Sequence, residues 1–249
     1  MPTYKAVIAY DGSAFSGFAL QKDKRFKSVL SALKEGFARV GIRSDIIGAG
    51  RTDKGVHATR QVICFQSKHF LSPQTQDIES LRLLLNAKLY PHIMVRSLHI
   101  VDEDFHPRFD ALWRAYRFLL SPNRPSPFIS PYVTYEKIGD RILFANALQA
   151  FVGQHNFILF KKNGSHTKNC VRTIFVCRHY THKNVDVVYV RGSGFLRAQV
   201  RLMVGAALAC SRGELSIYAL KEQIESKKQH YTYPLSPNGL YLCGVGYGQ

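Results

Sequence analysis

The sequence predicts an α+β fold built as two related halves, and three observations lead there. Segments of alternating polar and apolar residues, rich in β-formers, outnumber the segments with helical spacing. They do not alternate with helices in the regular order of a doubly wound sheet. A series of strand, helix, strands, helix and strand in the N-terminal part is followed by a similar series, although no repeat shows at the level of residues. The halves are expected at 1–104 and 105–249.

The elements follow in order. Residues 3–10 alternate and end in the turn signal Asp11-Gly12-Ser13. After a basic stretch from Lys22 to Lys27, Ser28 caps a helix whose apolar residues Val29, Leu30, Leu33, Phe37 and Val40 recur at helical spacing, with Gly41 marking its end. Strands are expected at 45–48 and 61–66, with 50–58 exposed between them. A second helix starts near Asp77, with Ile78, Leu81, Leu85 and Leu89 along one side, and 93–101 reads as a strand. Residues 105–110 look like the passage into the second half. A strand at 113–120 precedes a Pro-rich loop at 122–131 and a short helix at 144–151. Residues 161–168 form a basic loop. Strands at 170–180 and 185–191, helices at about 196–210 and 216–226, and a last strand at 240–247 complete the chain.

The 249 residues carry 34 Lys and Arg against 17 acids, a formal net charge of +17. Such an excess favours a polyanionic partner, because each cation that meets a phosphate releases condensed counterions. A membrane-surface role is the competing account of charge alone. The five cysteines, Cys64, Cys170, Cys177, Cys210 and Cys243, are odd in number and contain no Cys-x-x-Cys pair, which argues against a disulfide framework or a zinc site. The start of the chain is no signal peptide, and the longest apolar run, nine residues from Leu202 to Cys210, is too short to span a bilayer. A cytoplasmic protein is expected.

Three clusters could carry chemistry. In Gly50-Arg51-Thr52-Asp53-Lys54-Gly55-Val56-His57-Ala58 a single acid stands among cations. Positive potential favours its ionised form, and the glycines permit tight turns and a close substrate. Such a carboxylate suits attack on, or stabilisation of, an electron-deficient sugar carbon; a solvated turn would show the same charge pattern. In Trp113-Arg114-Ala115-Tyr116-Arg117-Phe118, alternation places Arg114, Tyr116 and Phe118 on one face. A phenol beside a guanidinium is a platform for a flipped base, and equally an aromatic core strand with snorkelling arginines. In the third, from Gly194 to Gly205, Arg197 and Arg201 fall one helical turn apart in a stretch that is otherwise nearly all apolar. A half-buried Arg needs a partner because it cannot shed its charge, and Asp53 is a candidate; a solvent-facing Arg at the helix edge is the alternative.

Taken together these clusters resemble the tRNA pseudouridine synthase A family, over nearly the whole chain. Besides the signature around Asp53, the ordered motifs include Tyr10-Asp11-Gly12 through Phe18, Leu85-Asn86, Phe105-His106-x-Arg108-Phe109-Asp110-Ala111, Arg114-x-Tyr116, Phe151-x-Gly153-x-His155-x-Phe157, Val171-Arg172-Thr173-Ile174, Phe195-Leu196-Arg197-x-x-Val200-Arg201 and Gly239-Leu240-Tyr241-Leu242. The resemblance implies the pseudouridine synthase fold, an antiparallel mixed sheet flanked by helices around a basic central cleft. It implies isomerisation of uridine to pseudouridine in the tRNA anticodon stem-loop at positions 38 to 40, without cofactor or metal, by a homodimer. It carries Asp53 over as the nucleophilic aspartate, Tyr116 as the residue stacked on the target base and a candidate for proton transfer, and Arg201 as the ion-pair partner of Asp53. Lys22, Lys24, Arg25, Arg51, Lys54, Arg114, Lys161 and Lys168 are the candidates for RNA contact. The chain departs from the family pattern at Ala19, Gln199 and in the 235–238 segment, none of them a catalytic position. Two other classes remain open: a non-catalytic RNA-binding module or chaperone, and a nucleoside hydrolase or base glycosylase, which normally needs a second carboxylate or activated water.

Overall fold

The computed structural model describes residues 1–23, 25–68, 77–162 and 169–248. The chain forms two compact units, Met1–Leu112 with Leu242–Gln249, and Trp113–Tyr241. The division thus falls later than 104, and the chain end returns to the first unit. Residues 105–110 stay with that unit because they are tied into it. The Phe105 carbonyl accepts from Cys64 Sγ at 3.8 Å, and the Pro107 carbonyl accepts from the Tyr247 hydroxyl at 2.8 Å.

The first unit is built on strands β1 (Thr3–Tyr10), β2 (Ile47–Gly48), β3 (His57–Gln66) and β4 (Ile93–Val101), and helices α1 (Val29–Ala38) and α2 (Ile78–Leu89). β1 lies between β4 and β3, antiparallel to both, with Thr3 opposite Gln66 on one side and Val101 on the other. The alternation in β1 buries Tyr4, Ala6, Ile8 and Tyr10. Phe37 of α1 meets Phe65 edge-on at 4.8 Å, and Tyr4 stacks on the same ring at 5.3 Å. The expected caps are in place. Ser28 and Ser31 exchange side-chain and backbone bonds in a capping box, and Asp77 accepts from Ser80 N.

The second unit holds β5 (Ala111–Ser121), β6 (Thr134–Tyr135), β7 (Gly153–Asn156), β8 (Val171–His182) and β9 (Val185–Gly192), with helices α3 (Arg141–Gln149), α4 (Gln199–Ser211) and α5 (Ile217–Ile224). Its strands run in the order β5-β9-β8-β7, all antiparallel, while β6 joins β5 in parallel, so the sheet is mixed. The last strand, β10, is Leu240–Tyr247 as expected. Phe118, Phe144, Phe151, Phe157, Phe160 and Met203 are fully buried and form the core. α4 is apolar nearly all round and buried along its length, as a helix inside a core must be. The short strands β6 and β7 and the 3-10 turns at Gly12–Ala14 and Phe157–Phe160 are too brief to show a periodicity. Among the described residues, no helix is long and apolar enough to cross a membrane.

Candidate active site

Asp53 sits half-buried in the turn between β2 and β3, with Arg51 and Lys54 exposed on either side. Every flank of this turn is fastened. Ala49 N donates to the Val62 carbonyl at 2.8 Å, and the fully buried Gln61 sends its amide to the Gly50 carbonyl at 2.8 Å. The Thr52 carbonyl accepts from Phe18 N at 3.1 Å, while its hydroxyl shares a 2.8 Å bond with the Tyr10 hydroxyl. Beyond Asp53, its carbonyl accepts from Val56 N at 3.1 Å, a closure that needs Gly55 at φ +80°.

The buried ring of His57 completes the frame, its Nδ1 accepting from Gly12 N at 3.0 Å. That bond makes Nδ1 an acceptor and puts the imidazole proton on Nε2. The 3.3 Å approach of Asp11 Oδ1 to Nδ1 is therefore not an ion pair. Asp11 Oδ1 instead accepts from the backbone and hydroxyl of Ser13. Gly12 is required for packing: a Cβ there would lie 2.1 Å from the Val56 carbonyl oxygen. The carboxylate is thus presented by a turn whose shape is over-determined by β1, the loop after it and β3. Such rigidity suits a group that must meet a reacting carbon without reorganising.

In the second unit, Arg114 and Tyr116 are half-buried on β5. The loop after β9 holds both: the Ser193 carbonyl accepts from Arg114 Nη1 at 3.2 Å, and Phe195 meets the Tyr116 ring edge-on at 5.1 Å. The loop is itself anchored to β8 by Ser193 N donating to the Thr173 carbonyl at 2.9 Å.

Arg201 occupies the first turn of α4. Its Nε donates to the Leu235 carbonyl at 2.6 Å, so an irregular strap at 228–239 aims the guanidinium. Gln223 clamps the strap, donating to the Leu159 and Tyr231 carbonyls at 3.0 and 2.9 Å and accepting from His230 N and Tyr231 N at 2.9 and 2.7 Å. A Cβ on Gly205 would stand 2.3 Å from the Tyr231 hydroxyl, so the strap lies directly on α4.

A family model described as tRNA pseudouridine synthase matches residues 6–110 and 147–248. The tRNA pseudouridine synthase A of Helicobacter hepaticus is 81% identical over 247 residues, covering 99% of this chain and 100% of that protein. The chain belongs to the tRNA pseudouridine synthase family. The protein of the same description from Wolinella succinogenes is 43% identical, covering 99% of this chain and 95% of its own, and that from Helicobacter pylori strain P12 is 40% identical, covering 99% and 100%. Members of this family are isomerases that convert uridine to pseudouridine in tRNA. Asp53 and Arg201 lie within the two matched stretches, and Tyr116 lies between them.

Several expectations change with the synthase family's fold in view. Arg197 does not share a helix face with Arg201: Ala198 takes a left-handed conformation at φ 60°, and α4 begins only at Gln199. Gln199, one of the departures from the family pattern, is buried and accepts from Leu196 N at 2.8 Å, tying down the entry to the helix. Arg25 is already engaged, with Nη2 2.7 Å from Asp23 Oδ2, and this bond holds the Asp23 carboxyl below its usual range. Lys22 is exposed and Lys161 half-buried, while Lys24 and Lys168 lie outside the described residues. Among the described residues, no group of three or more His, Cys, Asp or Glu is placed to hold a metal ion. Tyr10, Gln61, Gln223 and the Leu235 carbonyl carry no role that the sequence alone reveals, and His57 is visible there only as one of the cations around Asp53. Tyr10 and His57 stand inside family motifs and Leu235 opens the departing 235–238 segment, whereas nothing around Gln61 or Gln223 marks them.

Proposed function

We propose that this chain isomerises uridine to pseudouridine in the anticodon stem-loop of tRNA, at positions 38 to 40, with Asp53 as the catalytic carboxylate. The observation that supports this reading most is the turn around Asp53, which carries the family signature and is pinned on both sides in the 2.8–3.1 Å bonds described above. In the reaction the N1–C1′ bond breaks, the uracil turns, C5 joins C1′, the C5 proton leaves and N1 regains one. Asp53 either attacks C1′ or removes the C2′ proton to give a glycal; both roles use the ionised carboxylate. Tyr116 stacks on the flipped base and assists removal of the C5 proton. Arg201, aimed by the Leu235 carbonyl, supports the carboxylate with a charge-assisted bond. Extruding the nucleotide costs a few kcal/mol, supplied by stacking and by phosphate contacts. For those contacts the exposed Arg51, Lys54 and Lys22 stand first, with Arg114, Lys161, Lys168, Lys24 and Arg25 as further candidates. The same reading takes the protein as a cytoplasmic homodimer.

The test is tritium release from tRNA labelled at C5 of uridine. Wild type releases tritium from anticodon stem-loops carrying a single uridine at 38, 39 or 40, and Asp53→Asn does not. Release of free labelled uracil would instead identify a hydrolase, and no release from any tRNA would end the catalytic reading. Binding should weaken steeply with salt; an affinity unchanged between low and moderate salt would count against the phosphate contacts.

A further inference from the structure

The motif Phe105 to Ala111 contains a side chain that the site leaves unused. Phe109 is 76% exposed, the kind of exposure a large apolar ring adopts at a cost in water. It is nevertheless held in place. The His106 ring lies nearly parallel beneath it, with centroids 4.2 Å apart and planes at 28°. His106 is itself fixed within the turn: its Nδ1 accepts from Arg108 N and Phe109 N, both at 3.2 Å, and its backbone N donates to Asp110 Oδ2 at 2.8 Å. The Asp110 backbone N closes the turn by donating to the His106 carbonyl at 3.1 Å. With the His106 ring stacked on it, Phe109 still leaves three-quarters of its surface exposed. The Arg108 guanidinium lies over the ring, 5.7 Å from its centroid, where it would meet the phosphate of a nucleotide stacked on Phe109.

We propose that Phe109 is a stacking platform for an unpaired base of the tRNA, with Arg108 meeting the adjoining phosphate. Every base has a π-face, so a rigid aromatic ring next to a cation holds a single-stranded nucleotide with little regard to sequence. A protein-docking aromatic would instead sit among apolar neighbours, whereas the immediate partners of Phe109 are an imidazole and a guanidinium. The net charge of +17 favours the same polyanionic occupant. The platform rests on the tRNA reading of the chain, and it adds a binding subsite distinct from the target-base contact assigned to Tyr116.

The experiment compares Phe109→Ala, Phe109→Leu and Phe109→Trp with wild type. Equilibrium binding to unmodified tRNA is measured alongside KM for tritium release. A set of stem-loops carrying 2-aminopurine at one unpaired position each reports stacking. The expected result is about tenfold weaker binding for both Ala and Leu, the scale of one base–aromatic stack, with a parallel rise in KM. Trp retains affinity, and one 2-aminopurine position is quenched by wild type and by Trp but not by Leu. Leu binding as tightly as wild type would overturn the proposal, since any apolar filler would then serve. A change of sedimentation in Phe109→Ala with no quenching difference would overturn it in favour of self-association. A wild type that binds and quenches but releases no tritium would support the platform and retire the catalytic reading, so the two failures are distinguishable.

Discussion

Replacing Gln223 by Leu tests whether the strap positions Arg201 or merely covers α4. The amide is fully buried and bonds four backbone groups: the carbonyls of Leu159 and Tyr231, and the N–H groups of His230 and Tyr231. The Leu159 carbonyl also accepts from Gln229 Nε2 at 3.3 Å, so it keeps a partner, and three groups lose theirs. Leaving a buried polar group unsatisfied costs about 1–3 kcal/mol. His230 and Tyr231 are half-buried and can recover water, so the lower end applies, for a total of about 3 kcal/mol. In a chain of this size that lowers Tm by about 6–12 °C. The Leu235 carbonyl moves with the strap and releases Arg201 Nε; on the role proposed for Arg201, a displacement of about 1 Å costs about 100-fold in rate. Circular dichroism melting and tritium release at saturating tRNA read the two effects separately. Gln223→Glu keeps the two accepted bonds but sets a buried carboxylate oxygen against the Leu159 and Tyr231 carbonyls, so its Tm should fall at least as far as that of Leu. A lowered Tm with kcat unchanged in Gln223→Leu would refute the positioning role, and an unchanged Tm would refute the bond accounting.

Other outcomes follow from the same geometry. Arg201→Lys replaces a fork by a point donor that cannot bond the Leu235 carbonyl and still present a second N–H pair; kcat/KM should fall about 100-fold with little change in Tm, whereas a loss under threefold would remove Arg201 from the site. Tyr10→Phe deletes the 2.8 Å bond to the Thr52 hydroxyl and should cost about 1 kcal/mol, or about 2–4 °C in Tm, together with a drop in kcat because the turn carrying Asp53 loosens. Burial raises the thiols of Cys177 and Cys210, to about 12 and about 11. Since their folded values lie above the unfolded ones, the stability they contribute is full below the ordinary thiol range and is lost as pH rises toward the folded values. Urea midpoints should decline above about pH 9, and Cys177→Ala should flatten the decline; an identical slope in the variant would refute the assignment.

What the sequence determined by itself were the features encoded locally. β1, β4, β10, the Ser28 and Asp77 caps and the core side of α2 appear where alternation, helical spacing and capping residues placed them, because each depends on neighbours within a turn or a pleat. The single acid among cations around Asp53 was visible for the same reason. Tertiary structure decided what depends on segments far apart in the chain. Gln223 stands in ordinary surroundings and Leu235 in a segment that departs from the family pattern, and only the folded backbone brings the strap over Arg201 at 2.6 Å. His57 bonds Gly12, 45 positions away, and Tyr10 bonds Thr52, so the turn carrying Asp53 is held by β1 and the loop after it as well as by its own motif. The left-handed Ala198, which removes Arg197 from the helix, lies beside the buried Gln199 side chain that accepts from Leu196 N, a contact that helical spacing does not encode.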